Sequence, residues 1–280
     1  MNRRKRDLPF KKRLKNNIGD VSSLFPRYAA DKNSIRVLTY HNITDRPVPN
    51  EWGEMTTPHE LFERQMEYLK ENGYNTISAR EVFEVLVSVD GNISEKTVCI
   101  TFDDGYKDNY ENAYPALEKY GLKATVFVTA GFIGKGKGAF GEYLSWREIR
   151  EMKKSGVFTF GCHSFSHRNL VGLREDELDE EIKGGKDVLE DATGSEAETF
   201  AYPFGWHSAF NKQVRDAVEK QGFLCAFTGV QGANTRKTDL FRLRRLRVSW
   251  MDHMEEFQKV LIGAYDWYSA YQRVVSTWKR

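Results

Sequence analysis

Cysteine is scarce in this chain of 280 residues: there are three, Cys99, Cys162 and Cys225, an odd number set far apart. That is a poor framework for disulfides. Each lies in an apolar, strand-like run (98–100, 160–162, 224–226), where a buried thiol acts as a small hydrophobe. Cys162 precedes His163, and on a strand neighbours point to opposite faces, so Cys162 belongs to the core and not beside the histidine. Long apolar runs are lacking too; no stretch reaches the ~20 residues a membrane-spanning helix needs. Residues 1–15 are basic with no apolar segment behind them, unlike a secretory leader. The expected location is therefore cytoplasmic, unless a leader has been removed. No internal repeat or low-complexity tract is present.

Net charge is also small, +2 overall, but it is unevenly placed. Residues 1–15 carry eight basic side chains and one acid, an excess of seven, which leaves the other 265 residues at −5. A basic arm of this kind is either a solvated tail or a contact for an anionic surface. The acidic remainder and the lack of a reading motif argue against nucleic acid. Anionic lipid at the inner membrane face is the alternative partner for residues 1–15.

Short β-branched or aromatic runs at 35–40, 74–77, 97–102, 124–129, 157–160, 199–202, 223–228 and 243–248 read as strands. Helical periods fill 58–72, 79–89, 109–120, 145–155, 174–193 and 208–221, the first opening on Thr57 as N-cap with Pro58 at the first helical position. Gly73, Gly121, Gly156, Gly194 and Gly222 sit where helices should stop. Alternating strands and helices in one unit predict an α/β fold: a distorted (β/α) barrel of about seven or eight parallel strands. The expected layout is a basic arm over 1–33, the barrel over 34–262, and a C-terminal aromatic and basic helix over 263–280. Barrel enzymes place their chemistry at the carboxyl ends of strands. His41, Asp103, Asp104, His163 and Pro203-Phe204-Gly205 each follow a strand directly.

Two imidazoles four residues apart, in His163-Ser164-Phe165-Ser166-His167, plus one carboxylate supply three ligands for a divalent metal such as zinc and leave positions open for water and substrate. The carboxylate pair Asp103-Asp104 follows the apolar run 98–102, an expensive placement without a cation to offset their repulsion. One carboxylate of the pair suffices as ligand; the other is free to act as a base. His-x-x-x-His alone occurs by chance in polar loops, and Asp-Asp-Gly alone can be a turn; the weight lies in finding both. Tyr106, Trp146 and Trp206 could stack on a flat face of a substrate or pack in the core, with Trp206 the foremost candidate for substrate contact.

Thr-Phe-Asp-Asp-Gly-Tyr at 101–106, His-Ser-x-x-His at 163–167 and Tyr-Pro-Phe-Gly at 202–205 together resemble, in that order, the polysaccharide deacetylase family, also called NodB-homology or carbohydrate esterase family four. The likeness covers roughly residues 35–250. It implies a distorted (β/α) barrel that hydrolyses N- or O-acyl groups on amino-sugar glycans. By the same resemblance Asp104, His163 and His167 would hold the metal, zinc first, with cobalt, nickel and iron also fitting. Asp103 would be the base, and the backbone N–H of Phe204 the oxyanion donor. Many relatives carry an arginine two residues before the proline of the third motif, where this chain has Ala201. Arg245, in Leu243-Arg244-Arg245, resembles the leucine-x-arginine element of a subgroup and would hold Asp103 instead, with Arg244 and Arg247 expected on the other face. His41, in 37–42, resembles the acid of the subgroup acting on poly-N-acetylglucosamine; His253 is the alternative, and His59 and His207 take no role. An acid with a pKa near 7 would suit the leaving amine. The implied partner is an N-acetylated amino-sugar glycan or a lipid-linked precursor. Release of formyl or another small amide on the same scaffold, and a silent glycan-binding barrel, are the rival readings.

Overall fold

Every residue of strands β1 (Arg36–Tyr40) and β5 (Thr97–Asp104) is buried. A strand covered on both faces belongs inside a parallel sheet with layers on either side. That is their position in the computed structural model, which describes residues 33–46, 55–89, 93–137, 141–248 and 253–264. Most of the arm expected over 1–33 and of the helix expected over 263–280 lies outside the described residues.

In chain order the elements are β1, β2 (Asn42–Ile43), β3 (Thr56–Thr57), α1 (His59–Glu71), β4 (Asn75–Ile77), α2 (Ala79–Val87) and β5. They continue with α3 (Tyr114–Tyr120), β6 (Ala124–Val128), α4 (Trp146–Lys154), β7 (Phe158–Cys162), α5 (Glu175–Thr193) and β8 (Thr199–Ala201). The last are α6 (Lys212–Lys220), β9 (Cys225–Phe227), β10 (Leu246–Arg247) and α7 (Met254–Leu261). The main sheet runs β10-β1-β5-β6-β7-β8-β9, every pairing parallel, with β4 on the first residues of β5 beside the place where β6 takes over. The ring closes through the segment leading into β10: Leu243 bridges Phe227 of β9, and Leu246 pairs with Leu38 of β1. This is the expected distorted (β/α) barrel. The last strand is shorter than the expected 243–248, and a two-stranded parallel sheet, β2 with β3, is an addition.

Period-two alternation divides the core. Leu38, Tyr40, Ile100, Phe102 and Val126 face the helices in one cluster, while Val37, Cys99, Phe127, Ala201, Cys225 and Phe227 fill the barrel interior in another. Helix α1 docks Phe62, Met66 and Leu69, all fully buried, each contributing roughly 2–3 kcal/mol by removal of apolar surface. Its start differs from expectation by one residue: Thr57 ends β3 and Pro58 is itself the N-cap. Ser78 and Ser145 start α2 and α4 with capping boxes to Glu81 and Glu148. Gly121 and Gly194 end α3 and α5 in the left-handed conformation that favours glycine. All three cysteines are free and buried. No helix among the described residues is long and apolar enough to cross a membrane.

Candidate active site

The carboxyl ends of β1, β5, β7 and β8 and the segment around β10 surround a cavity of about 320 Å³. His41, Asp103, Asp104, His163, His167, Phe204, Trp206, Tyr106 and Arg245 all line it, as do Phe132, Tyr143, Met55 and Arg247. Residues scattered over 200 positions thus meet because each follows, or ends, a parallel strand.

Asp103 and Asp104 are neighbours on β5, so a regular strand would send them to opposite faces. Asp104 instead adopts φ 71°, and both carboxylates stay at the cavity. Asp103 is 3% exposed and forms a bidentate pair with Arg245, Nη1 to Oδ1 at 2.6 Å and Nη2 to Oδ2 at 2.7 Å. Burial alone would raise the Asp103 carboxyl; the Arg245 guanidinium outweighs it and holds the group well below the usual carboxylate range. Arg245 is fixed in turn by its Nε donating to the Thr228 carbonyl at 2.9 Å.

Asp104, His163 and His167 offer ligand atoms that all lie within 4.8 Å of one another. Asp104 Oδ1 is 3.6 Å from His163 Nε2 and 3.3 Å from His167 Nε2, and it is buried with no hydrogen-bond partner. His163 Nδ1 donates to the Ala201 carbonyl at 2.7 Å, which leaves the Nε2 lone pair facing Asp104. Burial pushes His163 down to about 4, so its imidazole is neutral at pH 7, the form that binds a metal. An orphaned carboxylate oxygen between two imidazole nitrogens fits a divalent cation and fits little else.

His41 Nε2 stands 3.9 Å from Asp103 Oδ2. Burial, aided by the charges of Arg247 and Arg245, pushes His41 down to about 4 against the pull of Asp103, well below the value near 7 expected for an acid. His253 caps α7 and is not among the lining residues.

Phe204 has φ 62° and Gly205 φ 66°; a Cβ on Gly205 would come within 2.3 Å of the Gly229 nitrogen, so only glycine permits this turn. The Phe204 ring meets His167 edge-on at 4.8 Å and lies parallel to Trp206 at 5.9 Å. Phe204 and Trp206 are 43% and 54% exposed, an aromatic rim beside the cavity. Tyr106 is buried and stacks on Tyr143 at 5.3 Å; burial and the Asp104 carboxylate push its hydroxyl up. Of the two roles left open for Trp146 the structure shows packing: it begins α4, lies against the helix-facing core and is not among the residues lining the cavity. Arg247 is corrected, since it lines the cavity instead of facing away. Residues 245 and 247 are two apart and share a face, a relation legible in the strand period. Phe132 and Tyr143 come from irregular connections and had no periodic signal.

Comparison with known proteins agrees with this architecture. The family model described as polysaccharide deacetylase matches residues 90–226. A Bacillus subtilis (strain 168) protein, YxkH, whose name assigns it to the polysaccharide deacetylases, is 34% identical over 213 residues, 76% of this chain and 71% of its own. The poly-beta-1,6-N-acetyl-D-glucosamine N-deacetylase of Staphylococcus aureus (strain MRSA252) is 26% identical, covering 78% of this chain and 80% of that one. Among solved structures, the Streptococcus pyogenes deacetylase PplD in complex with acetate superposes with a TM-score of 0.73 at 28% identity, covering 81% of this chain and 98% of that chain. The fold and the relatives define an amide-hydrolysing enzyme built on a parallel barrel. The chain belongs to the polysaccharide deacetylase family.

Proposed function

We propose that the enzyme removes N-acetyl groups from an amino-sugar glycan, with Asp104, His163 and His167 holding a divalent cation, zinc first, and Asp103 and His41 moving the protons. The observation that carries this is the buried Asp104 Oδ1, without a donor, set between His163 Nε2 and His167 Nε2 at 3.6 and 3.3 Å. When bound, the cation supplies Lewis acidity, lowering the pKa of water and polarising the amide carbonyl. Asp103 is ionised at any working pH and takes the proton of the attacking water on Oδ2, the oxygen that faces both His41 and His163. Its depressed pKa makes it a poor store for that proton. His41, neutral at rest, accepts the proton across the 3.9 Å gap and passes it to the nitrogen as the carbon–nitrogen bond breaks. The carbonyl oxygen gains negative charge when the carbon–oxygen bond forms, and the Phe204 N–H donates to it. Phe204 and Trp206 offer flat faces to the sugar.

The relatives named for poly-N-acetylglucosamine support an acetylated hexosamine as substrate. A lipid-linked precursor at the inner membrane face is the finer form of the proposal, with residues 1–15 meeting anionic lipid. Unchanged membrane fractionation after deletion of 1–15 would remove that part. The central test is acetate release from N-acetylglucosamine oligomers and lipid-linked precursors, with and without a chelator, with formate measured alongside. Chelator-sensitive acetate release is expected; formate in its place, or full activity in chelator, would overturn the proposal.

A further inference from the structure

The 163–167 loop bends twice through left-handed backbone, at Ser164 (φ 63°) and His167 (φ 58°), and neither residue is glycine. Such conformations cost on the order of 1–3 kcal/mol each and persist only where the surroundings over-determine them. The restraints can be followed bond by bond. The His163 N–H donates to the Val128 carbonyl at 2.9 Å, and the His167 N–H to Ser164 Oγ at 2.9 Å. The Ser164 and Phe165 carbonyls accept from Ala130 and Gly131. The N–H groups of Phe165 and Ser166 both go to one residue of α5, Glu181: Phe165 to its carbonyl at 2.8 Å and Ser166 to its Oε2 at 2.9 Å. The Ser166 hydroxyl also donates, to Glu181 Oε1.

Glu181 is only 4% exposed, and its carboxylate directs both oxygens at the residue immediately before His167. One helical turn on, the same face of α5 carries Gly185, where a Cβ would stand 2.8 Å from the Ser164 carbonyl carbon and 2.9 Å from the Phe165 nitrogen. A glycine in the middle of a 19-residue helix weakens it by about 1 kcal/mol relative to alanine. Its presence is explained by this backbone-to-backbone approach.

We infer that Glu181 is a positioning residue for metal binding: seated by Gly185, it sets the spacing between His163 and His167 through Ser166. Glu181 touches neither cation nor substrate; it acts through the loop. The inference rests on the cation site argued under Proposed function. A glutamine can keep both contacts, its oxygen accepting the Ser166 N–H and its amide donating to Ser166 Oγ, whereas alanine loses them.

The test is the zinc dissociation constant of the full chain, by competition with a chromophoric chelator, together with the melting temperature of the metal-free protein. Glu181→Ala should weaken zinc by about 10–100-fold, as loss of a group supporting metal ligands does, while Glu181→Gln stays within about threefold. Leu189→Ala, which empties a buried site on the same helix away from the loop, should lower melting without moving the zinc constant. Should the alanine variant not fold, Glu181→Asp carries the same expectation, because it keeps the charge and withdraws the carboxylate by one methylene. Zinc affinity of Glu181→Ala within about threefold of the unaltered chain, or a loss in Leu189→Ala equal to that in Glu181→Ala, would overturn the inference. Absence of zinc uptake by the unaltered chain would overturn the cation site and this inference together.

Discussion

Replacing Arg245 with methionine isolates the pair that holds Asp103. Both residues are 3% exposed, and the two hydrogen bonds of 2.6 and 2.7 Å are charge-assisted. Removing one partner leaves a buried carboxylate uncompensated, which costs about 3–5 kcal/mol. In the double variant Asp103→Asn with Arg245→Met no unpaired charge remains, so much of that cost should return. The sign of the pH dependence follows from the shift. In the unaltered chain the depressed carboxyl stabilises the fold above its unfolded pKa, and that contribution is lost as pH falls through the folded value. Without the guanidinium, burial dominates and the carboxyl rises above its unfolded value, so stability is gained as pH falls. Urea denaturation of chelator-treated protein at pH 7 and pH 5 should show the Arg245→Met deficit shrinking at pH 5. Activity at pH 7 should drop by about 10²–10⁴-fold, the range ascribed to a general base, because Asp103 loses the guanidinium that keeps it ionised and in place. A single-variant cost under about 1 kcal/mol with no relative gain at pH 5 would refute the reasoning, since a buried pair could not then be the term that sets Asp103.

Asp103→Asn should abolish acetate release while keeping zinc, whereas His163→Ala should lose both; equal zinc loss in the two variants would count against separate roles for base and ligand. His41 titrates at about 4 in the fold against 6.5 when unperturbed, so its contribution is complete above pH 6.5 and is lost as pH falls towards 4. The stability difference between the unaltered chain and His41→Phe should therefore narrow by about 2 kcal/mol from pH 7 to pH 5, read from urea midpoints. Gly205→Ala places a Cβ 2.3 Å from the Gly229 nitrogen, and should destabilise by about 1–3 kcal/mol or more and lower kcat/KM at least tenfold by moving the Phe204 N–H. A fully active Gly205→Ala enzyme would show that this turn does not set the oxyanion contact.

The barrel was legible because its signals are local and repeated: apolar runs ending in polar residues, helices ending in glycine. Boundaries were less so where tertiary pairing decides them, as in β10, whose two residues pair with β1 while Leu243, ahead of them, bridges β9. The role of Trp146 stayed open because an aromatic at a helix start carries no mark of which neighbour it packs against. Glu181 was hidden for the opposite reason: it sits in an acidic run, 175–181, where one carboxylate looks like the next, and only the mid-helix Gly184-Gly185 pair pointed to close packing.

A deeper limit concerns direction. Strand order explains why Asp104, His163 and Phe204 arrive at one end of the barrel, but alternation alone would turn every second side chain away. Among the described residues the non-glycine positions with positive φ are Asp104, Ser164, His167 and Phe204, and all four belong to this site. Asp104 escapes the outward face its neighbour's orientation would assign it, His167 folds back on His163, and Phe204 brings its backbone to the cavity rim. Sequence motifs named these residues through their chemistry; the left-handed backbone that aims them has no compositional signature outside glycine, asparagine and aspartate. Site direction in this fold is thus bought with local strain and held by contacts such as Glu181 to Ser166, which is why the supporting residues are harder to read than the ligands they support.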